Sequence, residues 1–161
     1  RRSIRVYTEQ NVEPEKVERI LRAGMQAPSA KNQQPWEFIV VRNKATLKDI
    51  SQMHEYAGMA AGANVAIVAL ARTSEHNGDM AWYAPDMGAC VENIMLQIVE
   101  EGLGGCWLGF YPIQERIDKM RNYFSLPDDI TPFAVVTLGY TVRENKFKDR
   151  YIPERVHFEK Y

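Results

Sequence analysis

Arg1, Ser3 and Arg5 alternate at the start of the chain, within Arg1-Arg2-Ser3-Ile4-Arg5-Val6-Tyr7. In an extended backbone a period of two sends all three side chains to one side. Two guanidinium forks and a hydroxyl then face a common anion, the outline of a phosphate cradle, because guanidinium groups pair bidentately with phosphate oxygens. Lys148 and Arg150 repeat the alternation near the other end, in Lys146-Phe147-Lys148-Asp149-Arg150. Taken alone, each basic cluster is more commonly a solvated face than a binding site, so a second signal has to join them.

Other chemistry has fewer carriers. His54, His76 and His157 lie far apart, with no His-x-x-x-His or Cys-x-x-Cys spacing, so a zinc site would have to be assembled entirely by tertiary folding. No Gly-x-Ser-x-Gly elbow occurs, and neither Cys90 nor Cys106 has a histidine close in sequence; both read as small core residues. Gly102, Gly104, Gly105 and Gly109 invite a dinucleotide reading, but Trp107 stands where the third glycine belongs. The cluster also follows a helix and precedes a strand, the reverse of the order that aims a helix N-terminus at a pyrophosphate. A helix cap and a tight turn explain Gly102 and Gly104. Gly109, after a strand, is a place where a flat ligand can approach the backbone.

The elements that position these residues follow from periodicity. Val17, Ile20, Leu21 and Met25 predict a helix over 14–26, with Glu15/Arg19 and Glu18/Arg22 as ion pairs on its polar side. A polar loop over 29–35 leads into a strand over 36–41, and a weaker helix over 44–56 precedes a buried strand over 64–70. Met87, Cys90, Val91, Ile94, Met95, Ile98 and Val99 mark a long central helix ending near Gly102. Cys106 to Phe110 then reads as a strand, Ile113, Ile117, Met120 and Phe124 as the stripe of another helix, and 133–138 as a strand. The remainder through Tyr161 is charged, aromatic and extended. Interspersed helices and strands imply α/β-type layering around a short sheet, without specifying strand order.

Length and composition bound the rest. A chain of 161 residues, 45% hydrophobic, is expected to form one domain, residues 1–161, that buries roughly 70% of its unfolded surface. Twenty basic against 21 acidic residues leave a net charge of -1, which argues against nucleic acid or an acidic membrane as partner. Only two cysteines, in apolar runs, are consistent with the cytoplasm. The longest apolar run, 65–71, falls far short of the roughly 20 residues that span a bilayer.

Several segments, taken together and in order, resemble the nitroreductase-like family of flavoproteins. They are Arg1-Arg2-Ser3-Ile4-Arg5, Ala27-Pro28-Ser29-Ala30-Lys31-Asn32-Gln33-Gln34-Pro35-Trp36, and Asp86-Met87-Gly88 leading to Asn93. Gly102-Leu103-Gly104-Gly105-Cys106-Trp107-Leu108-Gly109, Leu138-Gly139-Tyr140, and Lys148-Asp149-Arg150 with Arg155-Val156-His157 complete the set. The resemblance implies an α+β fold: a central mixed, mainly antiparallel sheet flanked by helices, with the C-terminal segment exchanged in a homodimer. It also implies a helix upstream of Arg1, and an FMN site shared between subunits.

Carried over by position, Arg1, Arg2, Ser3, Arg5, Lys148 and Arg150 would hold the FMN phosphate. Pro28, Ser29, Ala30 and Asn32 would reach the flavin from the partner chain, while Trp107, Leu108 and Gly109 would line its ring. The implied activity is ping-pong electron transfer from NADH or NADPH, through FMN, to a nitroaromatic, quinone or similar small acceptor. The flavin would carry the chemistry, which accounts for the lack of an evident acid, base or nucleophile. A non-catalytic FMN-binding module, or a specialised enzyme of the same fold performing flavin fragmentation or dehalogenation, remains as an alternative.

Overall fold

The structure, a computed structural model, describes residues 1–73 and 82–161. His76 lies outside the described residues.

Pro14 suits the first turn of a helix, because its ring already holds φ in the helical range and its missing N–H has no partner there. Helix α1 runs Pro14–Met25 and buries Val17, Ile20 and Gly24. On its polar side Arg22 meets Glu18 at 2.6 Å, as the spacing predicts. Arg19 does not pair with Glu15; it grips both carboxylate oxygens of Glu101, at 2.8 and 2.7 Å. A bidentate fork on a carboxylate whose side chain is only 9% exposed outcompetes a solvated pair along one helix.

Strands β1 (Trp36–Val41), β2 (Val65–Arg72), β3 (Gly104–Gly109) and β4 (Ile130–Gly139) form one sheet in the order β1-β2-β4-β3. Each adjacent pair is antiparallel. A parallel bridge between Ser3 and Gly105 gives the sheet its mixed character. Helices α2 (Lys44–Ser51), α3 (Tyr83–Glu100) and α4 (Gln114–Phe124) complete the layers. Val65, Ile67, Ala69 and Ala71 of β2 pack with residues of α1 and α3, while Ala66, Val68 and Leu70 pack with Leu47, Ile50 and Met120 of α2 and α4. Both parities of β2 are apolar because both of its faces are covered.

Boundaries differ from the periodic reading where tertiary contacts intervene. Asn43 caps α2 by accepting the N–H groups of Ala45 and Thr46, but the helix stops at Ser51 and the chain goes on to a 3-10 turn at Gly58–Gly62. Helix α3 begins at Tyr83, ahead of its apolar stripe, since Pro85 is tolerated in a first turn. Strand β4 begins at Ile130 and tolerates Pro132 through a bulge that leaves Phe133 as an extra residue opposite the Ala69–Leu70 step.

The amino-terminal segment is laid against β3. Ile4 is buried, and its N–H donates to the Gly105 carbonyl at 2.8 Å. Gly104 leaves it room, for a Cβ there would stand 2.7 Å from Ile4 Cγ2. The Tyr7 hydroxyl donates to the Ile4 carbonyl at 2.8 Å and lies 2.8 Å from Thr137 Oγ1 on β4. Burial pushes the Tyr7 phenol well above its usual range. At the other end, residues 141–161 carry a 3-10 turn at Pro153–Arg155 and otherwise no helix or strand, and Phe147, Tyr151, Phe158 and Tyr161 stand exposed. Among the described residues no helix is long and apolar enough to cross a membrane.

Candidate functional site

Strand β3 lies at the edge of the sheet. Since the Gly105 carbonyl accepts from Ile4, the alternation of an antiparallel ladder turns the backbone groups of Gly105, Trp107 and Gly109 away from β4. The amino-terminal segment covers this edge at Gly105. Beyond that point it borders a cleft of about 480 Å³, whose lining includes Arg5, His54, Tyr56, Trp107, Gly109 and Arg116. Nothing lies within 4 Å of the place a Cβ would take on Gly109, so the backbone is approachable there.

Two cations border the cleft. Arg5 arrives from the amino-terminal segment, whereas Arg116, on the first turn of α4, donates to the Gly109 carbonyl at 2.9 Å. His54 accepts the Tyr56 N–H on Nδ1 at 3.2 Å and sets its ring edge-on to Phe110, 5.1 Å between centroids. Burial, reinforced by Arg116, holds the imidazole below its ordinary pKa, so the neutral ring is favoured. With Nδ1 accepting, Nε2 carries the proton; that nitrogen is buried and has no hydrogen-bond partner among the described residues. Half-buried Trp107 packs on Phe133 at 5.9 Å, and Phe133 stacks on Tyr111 at 5.8 Å. The bulged Phe133 carbonyl also takes the N–H groups of Phe110 and Tyr111, fixing the exit of β3. Cys106 and Leu108 alternate to the other face of β3, where they border the cleft on the α2 and α4 side, and burial pushes the Cys106 thiol up.

The other residues singled out by the sequence are placed less uniformly. Arg1, Ser3 and Arg5 are exposed, on the opposite side from buried Ile4, and Arg1 pairs with Glu92 of α3 at 3.3 Å. The Arg2 N–H donates to Asn145 Oδ1 at 3.2 Å, which fastens the start of the carboxy-terminal tail beside the amino-terminal segment. Lys148 and Arg150 lie farther along that tail, exposed, and no hydrogen bond or ion pair among the described residues joins them to Arg1, Ser3 or Arg5.

Pro28, Ser29 and Ala30 line a different cleft, of about 330 Å³, with Trp82, Asp86 and Ala89. Asn32 is exposed in the turn that follows. Lys31, Asn32 and Gln34 hold positive φ values of 53°, 55° and 50°, a left-handed backbone disfavoured for residues with a Cβ. The Gln34 N–H donates to Ser29 Oγ at 2.9 Å, and Gln34 Nε2 donates to Asn32 Oδ1 at 2.9 Å. In one chain, therefore, the Arg5–Trp107 wall and the 28–32 turn face separate clefts.

Sequence reasoning missed His54, Tyr56 and Arg116. Each follows or opens a helix with no motif of its own, and only the folding of α2 and α4 onto one face of the sheet brings them to the cleft. Among the described residues no group of three or more His, Cys, Asp or Glu side chains is placed to hold a metal ion.

Known proteins resemble this chain along its whole length. A protein of Archaeoglobus fulgidus provisionally named NADH dehydrogenase/NAD(P)H nitroreductase is 43% identical over 166 residues, covering 100% of this chain and 94% of that protein. The crystal structure of a provisionally named NADH oxidase from Clostridium acetobutylicum superposes with a TM-score of 0.95 at 46% identity, covering 100% of this chain and 97% of that one. A provisionally named nitroreductase from Desulfovibrio desulfuricans, solved in complex with FMN, superposes with a TM-score of 0.82 at 28% identity over 100% of this chain and 93% of that one. The sequence profile of the Nitroreductase family matches residues 1–55 and 51–140. With that match and a relative of this identity over its full length, the chain belongs to the nitroreductase family.

Proposed function

We propose that the protein is an FMN-dependent oxidoreductase that takes electrons from NADH or NADPH and passes them, in a ping-pong scheme, to a small conjugated acceptor such as a nitroaromatic or a quinone. The observation that carries this reading is the convergence of Arg5 with Trp107, Leu108 and Gly109, from opposite parts of the chain, on one cleft. Its volume of about 480 Å³ lies within the roughly 300–1,000 Å³ typical of small-molecule sites.

The residues present suit a flavin. The N–H groups of Trp107 and Gly109, turned away from β4, are donors for the polar edge of a planar ring, while Arg116 holds the Gly109 carbonyl. Arg1, Arg2, Ser3 and Arg5, with Lys148 and Arg150 of the tail, would hold the phosphate by charge-assisted hydrogen bonds. Bound FMN accepts and releases the electrons. The chain's task is to orient the ring, keep one face open and hold positive charge near it. The relatives' names support the nicotinamide donor, and the FMN complex of the Desulfovibrio protein supports the cofactor.

The site reads as shared within a homodimer, each chain acting as one FMN-binding domain. Phe147, Phe158 and Tyr161 have no cover in their own chain, which favours a tail exchanged onto a second copy. That second copy would bring Pro28, Ser29, Ala30 and Asn32 to the cleft they do not reach in cis. A visible spectrum of the purified protein, followed by anaerobic addition of NADPH or NADH, tests the function. Flavin absorption that bleaches with the nicotinamide and returns with menadione or nitrofurazone is expected. A protein that takes up no FMN overturns the reading, and one that binds FMN without reduction is the non-catalytic module instead.

A further inference from the structure

We propose that Asp86 is a positioning residue for the flavin site, holding the turn over 29–34 in the shape that meets the ring bound to the second subunit. The inference rests on the FMN reading above. Asp86 sits in the first turn of α3 with only 6% of its surface exposed, and its Oδ1 accepts the Ala30 N–H at 3.0 Å. The turn beyond Ala30 is held in left-handed backbone at Lys31, Asn32 and Gln34. Such conformations persist only where the surroundings over-determine them, and they gather at ligand-facing segments. The bonds from Gln34 to Ser29 and Asn32 close the turn on itself, while the bond to Asp86 ties it to the long helix.

Two turns along α3, on the same face, Asn93 Nδ2 donates to the Ala23 carbonyl at 3.1 Å. One helix face thus holds both the end of α1 and the turn that follows it. A carboxylate in the first turn suits the dipole of α3, yet this one carries a cost. Its Oδ2 is buried without a hydrogen-bond partner among the described residues, a cost set against the single bond that Oδ1 makes. What the carboxylate provides is the shape of the turn, and hence the placement of Ser29, Ala30 and Asn32.

FMN titration of the full-length protein, followed by flavin fluorescence, tests this. Asp86→Ala is expected to weaken FMN binding about tenfold or more, the effect of losing a hydrogen bond to a charged group. Asp86→Asn keeps an acceptor for Ala30 and is expected to stay within about threefold of the wild type. Ala30→Pro removes the same N–H from the other side, leaves Asp86 in place, and should match Asp86→Ala. A mixed dimer, one subunit Asp86→Ala and the other Arg5→Ala, should keep one wild-type site of two, because both defects fall on the same site when the turn acts across the interface. Wild-type affinity in Asp86→Ala or Ala30→Pro, or two weakened sites in the mixed dimer, overturns the proposal. Absence of FMN binding by the wild type overturns the FMN reading itself, and is thereby told apart from failure of the role given to Asp86.

Discussion

The guanidinium of Arg116 donates to the carbonyl of Gly109 at 2.9 Å, tying the first turn of α4 to the last residue of β3. Both residues border the cleft, so one contact fixes the exit of the edge strand and keeps a positive charge beside it. Arg116→Ala is expected to weaken FMN binding by about 1–3 kcal/mol, since it removes a charged donor and frees the Gly109 peptide. Arg116→Lys should recover only part of this, because a lysine supplies a point charge without the planar fork. FMN titration measures both variants, and equal affinity in all three proteins would count against the contact as part of the site.

Arg5 makes a simpler case. It is exposed on the cleft, and Ile4 on one side and Tyr7 on the other pin the backbone that carries it. Loss of the side chain should therefore leave the fold intact. Arg5→Ala is expected to weaken FMN retention by about 1.5–3 kcal/mol, the range for hydrogen bonds to charged groups. An unchanged dissociation constant would remove Arg5 from the phosphate cradle.

Much of this architecture was legible because local patterns and global layers agree. Met87, Cys90, Val91, Ile94, Met95 and Ile98 of the periodic stripe are buried on one face of α3, with Val99 half-buried beside them, and the double-sided apolar run of β2 already required helices on both sides of the sheet. The alternation of Arg1, Ser3 and Arg5 survived as a real exposed face because the intervening Ile4 had somewhere to be buried. The illegible part consists of contacts between residues far apart in sequence. Arg19 chose Glu101 over its helical neighbour, and His54 and Arg116 reach the cleft only after α2 and α4 have docked. The bulge at Phe133 likewise depends on the register of β4 against β2, which no single strand encodes.

The packing of α1 on α3 sets two known effects against each other at Gly24. Replacing a helical glycine by alanine raises helix propensity by about 1 kcal/mol. Here the new Cβ would stand 2.7 Å from Ile94 Cγ1 and 3.0 Å from Ile94 Cδ1, in a side chain that is fully buried. Overpacking of that kind costs about 1–3 kcal/mol, so the clash wins. Gly24→Ala should lower the urea midpoint, and a raised midpoint would mean that the two helices separate more easily than their contact implies.

The ion pair of Arg19 and Glu101 predicts a pH dependence. The bidentate hydrogen bond from Arg19 holds the Glu101 carboxyl at about 2, below the glutamate value near 4.3 expected in the unfolded chain. The unfolded state then binds more protons across that interval, so stability rises with pH there. The contribution is present above about 4.3 and is lost as the pH falls toward 2. Urea midpoints taken across this window should decline more steeply for the wild type than for Arg19→Gln, by a small amount, since the pair is partly solvated. Parallel profiles would show that the pair contributes nothing to folding.

The tail gives the most direct test of a site built from two chains. Phe147 is 88% exposed and Phe158 84%, and Tyr161 ends the chain without any cover. Each such ring has roughly 150–250 Å² to bury, and at about 25 cal/mol per Å² several of them together favour a covered position strongly. In the proposed homodimer a second copy is that cover, and docking of the tail on it would fix Lys148 and Arg150, which are exposed in the single chain, in place to join the phosphate cradle. Flavin release should then follow dimer dissociation on dilution, and deletion of residues 146–161 should produce a monomer that loses FMN. Sedimentation velocity read at the flavin wavelength follows both events in one experiment. A monomeric species that sediments with a full complement of flavin would show that one chain completes the site unaided.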